Sequence, residues 1–211
     1  MANVPSLRGS GWRAGFLFVG NQLALDFLNT CPVQEGRPLE LFPDFSAVLR
    51  WFQAAGLISA HQQGDLEHKW GNSLRARCVT RVMRKLREKL RQAILSWEQD
   101  GIVPGRTTSE LNQLMAEHPM LTRLKQGTKK SNTAPWFKLR EPEDLFAPLA
   151  HSAAMLFAEV DRKRVRKCGQ CVLHFYDTSK KGTRRWCSMQ LCGNRIKVAA
   201  YVARQRRRAL R

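Results

Sequence analysis

The stretch Cys168-Gly169-Gln170-Cys171, resumed as Arg184-Arg185-Trp186-Cys187-Ser188-Met189-Gln190-Leu191-Cys192-Gly193-Asn194-Arg195, decides how this chain is read. Two residues separate the first cysteine pair, four the second, and fifteen lie between the pairs. Such spacing suits a two-knuckle site in which each pair gives two thiolates to one tetrahedral Zn2+. Soft thiolates bind zinc strongly, and the metal keeps them deprotonated at neutral pH. With Cys168, Cys171, Cys187 and Cys192 all coordinated, no position is left for water, so the expected ion is structural. Two other readings stay open. A thioredoxin-like redox CxxC needs a strand-to-helix setting and leaves Cys187 and Cys192 without a role; His174 can replace one thiolate only from a mid-strand position. Cys31 and Cys78 have no partner at metal spacing and are expected to be reduced.

Between the pairs, Val172, His174 and Tyr176 alternate with Leu173 and Phe175, a strand pattern. Asp177 to Gly182 reads as a polar turn and Thr183 to Trp186 as a return strand, so a β-hairpin is predicted to carry the second pair back to the first. Trp186 is expected in the hairpin core, Gly193 at positive φ after Cys192, and Asn194 as a cap or brace of that turn. So small a module cannot bury a core alone, and metal binding is expected to supply about 10 kcal/mol of its folding free energy.

Beyond Cys192, Ile196, Ala199, Ala200 and Ala203 recur at helical spacing, while Arg195, Lys197, Arg204, Arg206, Arg207, Arg208 and Arg211 are left for the outside. With Arg184 and Arg185 they form a cationic surface around the metal. Residues 161–211 hold 16 basic residues against two acidic ones, within a chain of net charge +19. A polycation of this density is expected to face nucleic acid, by insertion into a major groove or along phosphates. Arg184, Arg185, Arg195 and Lys197 are the candidates for base readout because the metal unit can aim them. Arg204, Arg206, Arg207 and Arg208 are candidates for phosphate contact.

The remaining sequence is helical in pattern. Asn21 is expected to cap a helix through Leu23, Ala24, Phe27 and Leu28, and Asp44 or Ser46 one that Gly56 stops. Val79, Val82, Met83, Leu86, Leu90, Ala93, Ile94 and Trp97 lay an apolar stripe along a helix from about residue 73 to 100. Its other face is basic: nine Lys and Arg between residues 69 and 91 meet Glu88 alone. That face either adds a nucleic-acid surface or pairs with Glu143, Asp144 and Glu159. Thr108 or Ser109 is expected to start a short helix, 125–135 to be a loop, 136–140 a strand, and 143–160 a helix. The predicted class is α+β, mainly α, with a helical domain over 1–160 and a zinc module with a basic helix over 161–211.

Composition narrows the function classes. At 43% hydrophobic residues the 211-residue chain is too apolar for disorder, and it has no uncharged run of membrane-spanning length. Residues 1–12 lack the apolar core of a secretory signal, so a reducing, cytoplasmic setting is expected. No paired-carboxylate, His or Cys constellation stands out for catalysis.

The Arg-Arg-Trp-Cys-Ser-Met run at 184–189, the Cys192-Gly193-Asn194-Arg195 tetrapeptide with Lys197, and Phe175-Tyr176-Asp177-Thr178-Ser179 together resemble the CGNR zinc-finger family of bacterial proteins. In that family the zinc module follows a mostly helical ABATE-type domain associated with stress-induced transcription regulation. Leu23-Ala24-Leu25-Asp26-Phe27-Leu28-Asn29-Thr30 resembles the opening motif of that domain, while 32–160 match in pattern alone. The resemblance implies zinc on Cys168, Cys171, Cys187 and Cys192. It also implies a zinc-ribbon or treble-clef-like unit. Asp26 and Asn29 are expected to cap or to bond within the core. The expected function is zinc-dependent binding of duplex DNA by a bacterial transcription regulator whose N-terminal domain senses a small-molecule effector, dimerises or acts as scaffold. An RNA- or ribosome-associated factor is the alternative, and an enzyme acting on nucleic acid the third reading.

Overall fold

A computed structural model describes residues 11–34, 36–127, 130–194, 197, 198, 201, 202 and 205. In chain order the elements are β1 (Trp12–Arg13), β2 (Phe16–Leu17), α1 (Leu23–Leu28), β3 (Val33–Gln34), β4 (Arg37–Pro38), α2 (Phe45–Ala54), α3 (Ala60–Trp70), α4 (Leu74–Asp100), α5 (Gly105–Glu117), β5 (Met120–Lys125), β6 (Asn132–Phe137), α6 (Phe146–Glu159), β7 (Val165–Lys167) and β8 (His174–Tyr176). The four sheets are two-stranded antiparallel ribbons: β1-β2, β3-β4, β5-β6 and β7-β8. Helices thus dominate an α+β architecture. The contacts divide it into two units, one of residues 41–163 and one that joins the chain up to residue 40 with the chain from 164 onward. Helix α1 belongs to the second of these units, with the cysteines.

The helical unit is organised by α4. Ser73 accepts a hydrogen bond from the Ala76 amide at 3.0 Å, and Gly101, at φ +76°, ends the helix in the left-handed conformation. Val79, Met83, Leu86, Leu90, Ala93, Ile94 and Trp97 are buried as their spacing predicts, but Val82 is 41% exposed and falls off the stripe. Asp44 caps α2 by accepting from the Ala47 amide at 2.7 Å, and Gly56 follows it at φ +75°. Trp51 then packs edge-on against Phe42 and Phe52, with ring centroids 5.8 and 5.2 Å away.

Three elements depart from the sequence expectation. Helix α3 has no apolar stripe, burying Leu66 alone, and starts on a capping box in which the Ser59 hydroxyl and the Gln62 side chain serve each other's backbone amides. Helix α5 begins at Gly105, ahead of the expected Thr108 or Ser109 cap. The expected loop at 125–135 gives up both its ends to a ribbon: Met120 pairs with Phe137, Leu121 with Trp136, Arg123 with Ala134 and Lys125 with Asn132. Pro135 argues against a strand only where both edges must bond, and a two-stranded ribbon leaves one edge of each strand free. The sequence also places helix from 143, where Pro142–Leu145 forms a 3-10 turn before α6.

The basic face of α4 is paired in part within its own unit, with Arg77, Arg81 and Lys85 left exposed. Arg75 bridges Glu141 and Glu143, Lys89 pairs with Glu110, and Arg91 with Glu88 at 3.0 Å. Arg84 donates through Nε to the Phe42 carbonyl at 2.7 Å. Of the acidic partners considered, Glu143 is engaged by α4, whereas Asp144 caps the amides of Arg140 and Glu141. Truncating the fully buried Met83 to Ala is expected to cost about 3 kcal/mol, read as a lower urea midpoint at unchanged m-value.

Candidate metal centre

Backbone geometry gathers the cysteines. Strands β7 and β8 pair Val165 with Tyr176 and Lys167 with His174, and the turn joining them carries Cys168 and Cys171. The Cys168 amide donates to the Leu173 carbonyl at 2.9 Å and the Gly169 amide to the Arg185 carbonyl at 3.1 Å. The partner of β8 is therefore β7, and not the expected return strand at 183–186. That segment is instead tied down by Asp177, a fully buried carboxylate. Asp177 accepts from the Ser179 amide at 2.9 Å and the Arg184 amide at 2.8 Å. Burial pushes the Asp177 carboxyl up, but these hydrogen bonds, with the Arg166 guanidinium nearby, outweigh it and hold the group below its usual range.

The second pair rests on a π-helical turn, Met189–Gly193. Ser188 caps it, accepting from the amides of Gln190 and Leu191, while its carbonyl takes the Cys192 and Gly193 amides. Gly193 is not at positive φ as expected. Its requirement is space: a Cβ there would lie 2.6 Å from the Met189 sulfur and 3.3 Å from the Trp186 ring.

The four Sγ atoms all lie within 4.8 Å of one another, with Cys171 to Cys187 and Cys187 to Cys192 each 3.7 Å. Those spacings are far beyond the roughly 2.05 Å of a disulfide. They match the edge of a tetrahedron of sulfurs around zinc, about 3.8 Å for Zn–S bonds of about 2.3 Å. Without a cation the set is electrostatically frustrated. The Cys187 thiol, bonding toward Cys171, pulls the latter down to about 5. Burial, with the charge of Cys171 and Cys168, pushes Cys192 up to about 12, and Cys187 is driven up by Cys171 and by burial. A soft divalent ion relieves this repulsion, so the donor set fits the metal in number, chemistry and spacing. His174 is buried in β8 and outside this cluster, and a redox CxxC leaves the other pair unexplained.

The N-terminal segment completes the unit. Asn29, from the end of α1, is buried and clamps β8 in both senses: its Nδ2 donates to the His174 carbonyl at 2.9 Å and its Oδ1 accepts from the His174 amide at 3.0 Å. Two residues along, the Tyr176 amide donates to the Gly20 carbonyl at 2.7 Å and its carbonyl accepts from Asn21 Nδ2 at 2.9 Å. Asn21, at φ +57°, is thus a strand-edge partner and not the cap of α1, a position taken by Gln22. Asp26 lies in the same helix, accepts from the Gly20 amide at 2.7 Å, and is raised to about 6 by burial despite that bond and the Arg13 charge. Leu17, Val19, Leu173 and Phe175 form one buried cluster with Cys168, Cys187 and Cys192, and Trp12 and Trp186 pack on it.

The basic candidates sort into two groups. Arg184 is turned inward: its guanidinium lies 4.5 Å over the Phe175 ring, donates from Nε to the Trp186 carbonyl at 2.8 Å and bonds the Cys187 carbonyl. Its expected place at a readout surface gives way to a supporting one. Arg164 likewise bonds the Asp177 and Ser179 carbonyls, and Arg166 that of Gly182. Arg185 and Lys197 are exposed, the former over the Trp186 ring at 5.1 Å. Arg195, Arg204, Arg206, Arg207, Arg208 and Arg211 lie outside the described residues. Lys197, Val198, Tyr201, Val202 and Gln205 are helical. The supporting roles of Asp177 and Ser188 were missed at the sequence level, although Asp-Thr-Ser is an Asx-turn signal and Ser188 an N-cap type.

Fold and site together define a helical protein with a four-cysteine zinc module. Two family models match: residues 164–205 the CGNR zinc finger, and residues 21–160 ABATE, described as "Putative stress-induced transcription regulator". The chain belongs to the ABATE family, and its cofactor is one structural zinc ion. No curated protein matches the chain. Among the described residues no helix is long and apolar enough to cross a membrane.

Elemental analysis of the purified chain is expected to give one zinc per chain, and Cys187→Ser to lose it, because Cys187 is the sulfur flanked by two others at 3.7 Å. Asp26 supplies a separate test. Its folded pKa of about 6 exceeds the unfolded 3.8, so the stability it contributes is complete below the unfolded value and is lost as pH rises through the folded one. Asp26→Asn keeps an acceptor for Gly20 without the charge. The variant's stability relative to wild type is expected to grow by about 1 kcal/mol between pH 5 and pH 7.5 in urea titrations.

Proposed function

We propose that the chain is a cytoplasmic, non-enzymatic transcription regulator that binds duplex DNA through its zinc module, with Cys168, Cys171, Cys187 and Cys192 as the ligands. The observation that carries this reading is the sulfur cluster at the centre of a module whose cations are divided between inward bracing and outward exposure. Arg164, Arg166 and Arg184 hold carbonyls of the loops around the cysteines, while Arg185 and Lys197 face solvent. Outside the described residues the sequence adds Arg195, with Lys197 a candidate for base readout, and Arg204, Arg206, Arg207 and Arg208, candidates for phosphate contact. The ion acts by holding the loops that carry these cations, not by chemistry on a substrate. Residues 1–160 and 161–211 serve as the two functional parts, the first for effector sensing or homodimerisation and the second for DNA.

Electrophoretic and anisotropy titrations test the reading. Zinc-loaded protein is expected to bind duplex DNA with strong salt dependence, and chelation to weaken binding at least tenfold. Arg185→Gln with Lys197→Gln is expected to weaken it several-fold at unchanged zinc content. Equal binding by apo and zinc-loaded protein, or preference for structured RNA over duplex DNA at the same salt, overturns the proposal.

A further inference from the structure

The β5-β6 ribbon of the helical unit is a charged feature that the zinc module does not account for. Residues 118–140 contain six Lys and Arg and no acidic residue. The register places Leu121, Arg123 and Lys125 on one face with Trp136, Ala134 and Asn132. Arg123 lies 5.9 Å over the Trp136 ring, which orients its guanidinium on that face. In the distal half both faces are open: Thr122, Arg123, Leu124, Lys125, Asn132 and Thr133 are exposed, Leu124 at 74%.

On α4, Arg75, Arg87, Lys89 and Arg91 find Glu141, Glu143, Glu88 and Glu110 within the unit, and Arg77, Arg81 and Lys85 stay exposed along the helix. On the ribbon none of Arg123, Lys125, Lys130 and Lys138 has an ion pair among the described residues, and no carboxylate lies in the segment to offset them. A two-stranded ribbon with both faces in water is marginal by itself, and self-repelling charge on it is a further cost that a polyanion removes. Two antiparallel strands are also narrow enough for the major groove of B-DNA, about 12 Å wide, where flanking Lys and Arg meet phosphates.

We infer that β5-β6 is a second nucleic-acid contact element, a ribbon that enters the major groove of duplex DNA with Arg123, Lys125 and Lys130 on phosphates. This rests on the reading of the chain as a DNA-binding protein and adds a contact outside the zinc module. The test uses the full zinc-loaded chain, a fluorescent 30-base-pair duplex and a series of salt concentrations. Two charge-matched variants are compared: Arg123→Gln/Lys125→Gln/Lys130→Gln on the ribbon and Arg77→Gln/Arg81→Gln/Lys85→Gln on the exposed side of α4. Helicity and zinc content serve as folding controls. The ribbon variant is expected to lose more than tenfold in affinity and to flatten the slope of log K against log salt by about 2 to 3, at close to 0.9 per lost phosphate contact. The α4 variant is expected to change the slope by less than 1. Equal losses in the two variants, or an unchanged slope in the ribbon variant, overturn the inference and leave the zinc-module reading standing. Failure of wild-type protein to bind the duplex overturns both. Poly-glutamate that displaces the duplex as effectively as unlabelled DNA, and does so less well from the ribbon variant, assigns the ribbon to acidic protein and overturns the inference.

Discussion

Four thiols within 4.8 Å of one another, three of them buried, form an arrangement that protein groups alone stabilise poorly. One thiolate is favoured by its neighbours' hydrogen bonds and each further ionisation is opposed by the charge already present. A divalent cation converts that repulsion into attraction, and the surrounding secondary structure is slight. The strands β7 and β8 have three residues each, and one π-helical turn carries the other pair. A core this small is expected to draw most of its folding free energy from the ion.

What the metal does not hold is braced by buried polar groups. Asp177 ties the return segment by two amides, and Asn29 bonds both backbone groups of His174. These contacts place α1 in the same unit as the cysteines although some 140 residues of sequence separate them. An amide side chain bonding a strand edge in both directions does what another strand would do. It satisfies backbone groups that burial would otherwise leave without water.

A high positive charge is therefore not one property with one use. Part of it caps carbonyls of the loops around the cysteines, as with Arg164, Arg166 and Arg184. Part, through Arg75, Arg87, Lys89 and Arg91 of α4, meets carboxylates of its own unit. The portion left facing solvent, which includes Arg185, Lys197, the ribbon cations and Arg77, Arg81 and Lys85, is the portion available to a polyanion.

Spacing made the cysteine cluster legible, because the number of intervening residues limits which side chains can meet around one ion. Periodicity likewise made α4 legible, with Ser73 and Gly101 marking its ends, since a continuous apolar stripe and its caps are local properties. Helix α3 and the β5-β6 ribbon were hidden: the first buries only Leu66, and the second contains Pro135 in a position where only pairing shows it to be harmless. Tertiary structure alone decided that β8 pairs with β7, that Asn21 and Asn29 serve β8, and that Arg184 points inward. Each of these is a choice among partners distant in sequence, and such a choice is settled by which buried groups remain unsatisfied once the chain has closed on itself.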